Sequence, residues 1–206
     1  MKILIVDDHA IVRTGLRRLL GMLPNIELEE AEDGRAALAM YRAARPDIVI
    51  LDMNLPGIGG FELLRRFIVM DATARVLVFS MHAEAVYASR ALENGALGYV
   101  SKNAPPEEVL TAVQEISKGA RYIESEIARG LVLKTSSAPH SLAQLTERDL
   151  EIMRLLGEGQ SLGEIAEALG VGYKTIANTS SQIKSKLGVG RTADLIRLSI
   201  EMGLTR

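Results

Sequence analysis

The stretch Ile48-Val49-Ile50-Leu51-Asp52-Met53-Asn54-Leu55-Pro56-Gly57 decides how the chain is read. Four consecutive apolar residues, mostly β-branched, then an acid and a Pro-Gly loop describe a strand buried on both faces that opens into a site. In open α/β sheets, ligands lie just beyond the carboxyl ends of the strands. An acid there can ligate a metal, act as a nucleophile or cap a helix, and this stretch alone leaves all three open.

The same pattern recurs outward from it. Ile3–Val6 is wholly apolar and ends in Asp7-Asp8, Val76–Phe79 ends at Ser80, and Leu97–Val100 ends near Lys102. Ile26–Ala31 alternates more weakly, as an outer strand does. Helical periodicity fills the gaps: Val12, Leu16, Leu19, Leu20 and Leu23, then Gly34–Ala44, Phe61–Met70, Ala83–Glu93, and the stripe Val109, Ala112, Val113, Ile116 after Pro105-Pro106. Five strands alternating with five helices predict an α/β doubly wound five-stranded parallel sheet over residues 1–118.

Residues 119–145 read as a linker that is helical in part. Ile123, Ile127 and Leu131 give Tyr122–Leu133 an amphipathic stripe, whereas the run from Lys134 to Ser141 is polar and lacks periodicity. Residues 146–206 carry no strand signal and predict an all-α domain. Thr146-x-x-Asp149 and Ser161-x-x-Glu164 have capping-box spacing and start helices over Glu147–Leu156 and Leu162–Leu169. Two more run over Tyr173–Leu187 and Thr192–Met202. A short helix, a Gly-containing turn and a second helix form the helix-turn-helix pattern.

Composition bounds these readings. With 206 residues, 48% hydrophobic and 24% charged, the chain has material for one or two cores, which excludes disorder throughout. The absence of Cys excludes a disulfide framework and a thiolate metal site. A strand that starts at Lys2, without a leader-like segment, and the lack of a bilayer-length apolar run predict a cytoplasmic protein with no membrane partner. A net charge of −2 argues neither way about nucleic acid, because local biases cancel in the sum.

In a parallel sheet, residues just past neighbouring strands converge on one rim. Here they are Asp7, Asp8, Asp52, Ser80 and Lys102. Three carboxylates repel one another unless a cation sits among them, and hard oxygen donors on a solvated rim suit Mg²⁺. A carboxylate beside such an ion can attack phosphorus, and a Lys and a hydroxyl opposite can stabilise the transferred charge.

Val6-Asp7-Asp8, Leu51-Asp52-Met53-Asn54-Leu55-Pro56-Gly57, Phe79-Ser80 and Gly98-Tyr99-Val100-Ser101-Lys102 together resemble the receiver domain of two-component response regulators, whose fold is flavodoxin-like. The resemblance implies that Asp52 takes a phosphoryl group from a sensor histidine kinase. It implies Mg²⁺ held by Asp7, Asp8, Asp52 and the Asn54 backbone carbonyl. Ser80 then bonds the phosphate, Lys102 pairs with it, and Tyr99 is the aromatic that rotates inward on activation. His9 reads as a surface residue opening the first helix.

In Tyr173–Leu187, Ile176, Ser180, Ile183 and Leu187 fall on one side, and Lys174, Asn178, Ser181 and Ser185 on the other, flanked by Gln182 and Ala177. No acid occurs between Glu167 and Asp194, while Lys174, Lys184, Lys186 and Arg191 do, a local bias suited to phosphate contact. Leu145-Thr146-Glu147-Arg148-Asp149, Glu164-Ile165-Ala166, Lys174-Thr175-Ile176, Asn178 and Lys186-Leu187-Gly188-Val189 resemble the LuxR-type helix-turn-helix of the NarL/FixJ class. That similarity implies a partner in double-stranded DNA, with Lys174 and Thr175 on phosphate. Asn178, able to pair with adenine in bidentate fashion, is the best reader of bases, within a set that includes Ser181, Gln182, Lys184 and Lys186. The chain departs from that family's pattern where basic residues or His are usual, with Ala177, Thr179 and Ser180 or Ser181, and Gly172 stands in the place of a Ser cap.

The two resemblances predict a response regulator acting as a transcription factor. Phosphorylation would alter the face of the fourth and fifth helices and thereby release the helix-turn-helix, promote a homodimer, or both. Two rivals are weighed against it. A haloacid-dehalogenase-type phosphatase also uses a strand-end Asp with Mg²⁺, but needs a second acid where Asn54 stands. A receiver-controlled regulator of protein interactions accounts for the depleted recognition helix.

Overall fold

The computed structural model of the chain describes residues 1–134, 145–202 and 204. Most of the polar part of the expected linker, residues 135–144, lies outside them. The chain divides into two units, residues 1–83 with 87–130, and residues 84–86 with 131–206. Among the described residues no helix is long and apolar enough to cross a membrane.

Strands β1 (Lys2–Val6), β2 (Glu27–Ala31), β3 (Ile48–Leu51), β4 (Val76–Ser80), β5 (Gly98–Ser101) and β6 (Tyr122–Ile123) form one sheet in the order β2-β1-β3-β4-β5-β6. Every pairing is parallel. Helices α1 (Ala10–Leu20), α2 (Gly34–Ala44), α3 (Gly60–Met70), α4 (Ala85–Glu93) and α5 (Pro106–Ser117) connect the first strands, and α6 (Ser125–Lys134) follows β6. The direction of winding reverses between β1 and β3, so their carboxyl ends flank the crevice where such sheets bind ligands.

The sheet has six strands rather than the five expected. Tyr122–Ile123, read from its periodicity as the start of a helix, is a strand, and the helix begins only at Ser125. Gly98 explains the difference. A Cβ there would lie 2.6 Å from Ile116 Cδ1 and 2.9 Å from the Tyr122 carbonyl oxygen, so only glycine lets this backbone approach β5. Tyr122 N–H donates to the Leu97 carbonyl at 3.0 Å, and its hydroxyl donates to Glu108. Burial and the Glu108 carboxylate push the Tyr122 phenol up to about 12.

Alternation across the sheet splits the core. Ile3, Ile5, Ile48, Ile50, Leu77 and Val100 pack with Leu16 and Leu20 of α1 and with Val109, Ala112, Val113 and Ile116 of α5. Leu4, Val49, Leu51 and Val78 point the other way and are equally buried, as are Leu63, Leu64 and Phe67 of α3. Tyr41 of α2 meets Phe67 there, with ring centroids 4.8 Å apart. Outer strand β2 is acidic: Glu27 and Glu29 face the Lys2 ammonium, and Glu30 takes Arg13 and Arg17.

The second unit is helical: α7 (Glu147–Gly157), α8 (Leu162–Ala168), α9 (Tyr173–Leu187) and α10 (Thr192–Glu201). Both expected capping boxes close, Thr146 with Asp149 and Ser161 with Glu164. Leu150, Met153, Ile165, Ile176, Ile183 and Leu195 are fully buried. Gly188, with φ +68°, ends α9 in the left-handed conformation that glycine adopts without strain.

Candidate functional site

Backbone hydrogen bonds set the rim before any side chain is considered. Asp52 N–H donates to the Val6 carbonyl at 2.8 Å, and Asp7 N–H donates to the Ala31 carbonyl at 3.1 Å. The acids thus begin where the ladders end. Gly60 admits α3 beneath the loop after Asp52: a Cβ there would lie 2.4 Å from Met53 Cα, and the Gly60 N–H donates to the Met53 carbonyl at 3.1 Å.

Asp7 and Asp52 are each only 1% exposed. Lys102 Nζ lies 2.7 Å from Asp7 Oδ2 and 2.8 Å from Asp52 Oδ2, but only the Asp52 approach is aligned as a hydrogen bond. Asp7 Oδ2 is therefore a buried carboxylate oxygen without a hydrogen-bond donor. Its Oδ1 accepts the His9 N–H at 2.8 Å, and Asp52 Oδ1 accepts the Asn54 N–H at 3.2 Å. Burial pushes the Asp52 carboxyl up, against the lowering pull of Lys102 and the Asn54 amide.

Asp7, Asp8, His9 and Asp52 each offer a ligand atom within 4.8 Å of the others. Oxygen donors dominate, one of them, Asp7 Oδ2, buried and paired only with the Lys102 ammonium, and this set fits a hard divalent cation better than a soft one. His9 was not among the expected ligands. Its Nδ1 lies 2.7 Å from Asp8 Oδ1, so it belongs to the rim as well as opening α1.

Ser80 and Tyr99 meet through His82, a residue that no motif singled out. Ser80 Oγ accepts the His82 N–H at 3.2 Å, and the Tyr99 hydroxyl donates to the His82 carbonyl at 2.7 Å. Ser80 and Tyr99 are both fully buried, so the Tyr99 ring is inward in this structure. Lys102 N–H donates to the Ser80 carbonyl at 2.7 Å and ties this group to the acids.

In α9, Ile176, Ser180 and Ile183 are buried, and Lys174, Thr175, Asn178, Ser181 and Gln182 are exposed. The Ser181 hydroxyl donates to the Ala177 carbonyl. Lys184 is half-buried. Lys186 turns away from the exposed row, with Nζ 2.5 Å from Asp149 Oδ2. That carboxylate also accepts the Thr146 N–H, so one acid caps α7 and anchors α9.

The family described as response regulator receiver domain matches residues 3–114, and the family described as bacterial regulatory proteins, luxR family, matches residues 143–199. The chain is 36% identical to the response regulator UvrY of Escherichia coli over 99% of its own length and 95% of the relative's. It is 39% identical to the transcriptional activator protein ExaE of Pseudomonas putida over 100% and 99%. Among solved structures, RcsB of Salmonella enterica, bound to promoter rprA in the presence of the phosphomimetic BeF3-, aligns with a TM-score of 0.66 at 25% identity, covering 96% of both chains.

Proposed function

We propose, from the premise that the chain belongs to the two-component response regulators joining a receiver domain to a LuxR-family helix-turn-helix domain, that phosphorylation of Asp52 by a sensor histidine kinase controls the binding of double-stranded DNA through α9. The setting is the cytoplasm. The observation that carries the reading is one buried ammonium, Lys102, held between two strand-end carboxylates at 2.7 and 2.8 Å.

An Asp52 oxygen attacks phosphorus as the bond from phosphorus to the kinase imidazole nitrogen breaks, and that nitrogen keeps the electron pair. Asp7, Asp8 and Asp52, with the Asn54 carbonyl, would hold Mg²⁺, which when bound offsets the charge of the acids and of the phosphoryl oxygens. Lys102 exchanges a carboxylate oxygen for a phosphoryl oxygen, and the Ser80 hydroxyl donates to another. Any shift of Ser80 reaches Tyr99 through His82, which holds them both. Asp52 is modified once per message rather than turned over.

At the second site, Lys174 and Thr175 engage phosphate and Asn178 reads a base, with Ser181, Gln182 and Lys184 alongside. Lys186 serves mainly to seat α9 on Asp149. Two copies on DNA suit a domain that presents one reading helix, and the structural relative RcsB has been solved as dimers on DNA.

Incubation with a small phosphodonor and Mg²⁺ labels the wild type and leaves Asp52→Asn unlabelled; equal labelling of both, or steady turnover of a phosphomonoester, defeats the reading. Selection from random duplexes at two salt concentrations enriches one sequence. The second reading, a regulator of protein interactions, rests on Ala177 and Thr179 in a helix short of cations. It gains the ground if no sequence is enriched with or without a phosphoryl mimic.

A further inference from the structure

Glu124 is a buried acid, 7% exposed, that neither the motifs nor the phosphoryl chemistry uses. It follows β6 and precedes α6. Its N–H donates to the Tyr99 carbonyl at 3.1 Å as the last rung of the β5–β6 ladder, and its own carbonyl accepts Ala128 N–H at 2.9 Å as α6 begins. The backbone there has left the sheet, so Ser101 N–H on β5 loses the acceptor that a longer strand would offer. Glu124 Oε2 supplies it, at 2.7 Å.

A buried carboxylate on a backbone amide is a charge-assisted bond, among the stronger kinds. This one closes on the residue before Lys102, whose own N–H is pinned to the Ser80 carbonyl at 2.7 Å. The end of β5 is thus fixed from both sides, by β4 and by Glu124. We infer that Glu124 is a positioning residue for Lys102, aiming the ammonium at the Asp52 oxygens and tying the end of β5 to the first turn of α6. The inference rests on Asp52 as phosphoryl acceptor.

The test is a double-mutant cycle on the full chain, measuring the rate of labelling from a small phosphodonor with Mg²⁺. Glu124→Ala slows labelling about 3- to 10-fold, roughly what loss of part of one charge-assisted bond allows. Glu124→Gln, which keeps an acceptor oxygen at the same reach, stays close to wild type. In a Lys102→Ala background, Glu124→Ala changes the rate no further, because its effect is transmitted through the missing ammonium.

A merely structural role would slow both backgrounds equally, and that result overturns the inference, as does a wild-type rate in Glu124→Ala. Should Glu124→Ala lose its cooperative melt, Glu124→Asp takes its place: it keeps the charge but falls one methylene short of Ser101, and the same outcomes apply. A wild type that takes no label overturns the role of Asp52 and this one with it. A wild type that labels beside an unaffected Glu124→Ala overturns only this one.

Discussion

The rim of the sheet and the exposed face of α9 are both polar, yet they are made in opposite ways. At the rim, Asp7, Asp52, Ser80 and Tyr99 are buried and held by one another, by Lys102 and by backbone. On α9, Lys174, Thr175, Asn178 and Gln182 stand in solvent and wait for a partner to give them geometry. A buried site carries its own chemistry in its contacts, because an unpaired buried charge is too costly to persist. An exposed face shows only what it can offer. At the rim the contacts are fixed atom by atom, whereas on α9 only the row of exposed residues is fixed.

The two regions differ most sharply in how much room they leave. Gly60→Ala places a Cβ 2.4 Å from Met53 Cα, so backbone must shift, and denaturant melts should lose about 1–3 kcal/mol, as overpacking of a tight site does. A neutral result would mean that the rim is as slack as α9. Next in size, Lys174→Ala should weaken duplex binding by roughly tenfold, across all sequences alike, and lower the salt slope by about 1. An unchanged salt slope would remove Lys174 from the interface.

A subtler effect comes from the buried acid itself. Asp52, with its carboxyl held above the ordinary value, binds its proton more tightly folded than unfolded. That contribution to stability is full below the ordinary carboxylate value and is lost as pH rises through the raised one. Asn does not titrate, so with a chelator present Asp52→Asn should gain on the wild type in thermal melts as pH goes from acid to neutral. A constant gap across that range breaks the assignment. Smallest of all, Gly172→Ser adds a side-chain cap to α9, which has none, in open space, and should raise the stability of the helical unit by only a few tenths of a kcal/mol.

Much of the rim was legible because apolar runs end at it. Ile3–Val6, Ile48–Leu51 and Val76–Phe79 announce their strands, and the polar residues that follow are forced onto one edge of a parallel sheet. What stayed hidden depends on contacts distant in sequence. β6 has only two residues, and the periodicity of Ile123, Ile127 and Leu131 spreads a helical signal over it; the decisive fact is the missing Cβ at Gly98, across the ladder. His82 and Glu124 lack a motif; the first matters through its bonds to Ser80 and Tyr99, the second through its bond to Ser101. Lys186 reads as one more cation on an acid-free helix, but Asp149 lies 37 residues away in sequence and 2.5 Å away in space.

The sheet ends in two unlike margins. On one side β2 presents Glu27, Glu29 and Glu30, and on the other β6 is two residues long. Open strands recruit other open strands, and charge or brevity is how that recruitment is refused. Strand addition by a second copy is therefore disfavoured at both margins. Helical surfaces are better suited than a continuous ladder of backbone bonds to the association proposed above, because their side chains can be rearranged without breaking the sheet.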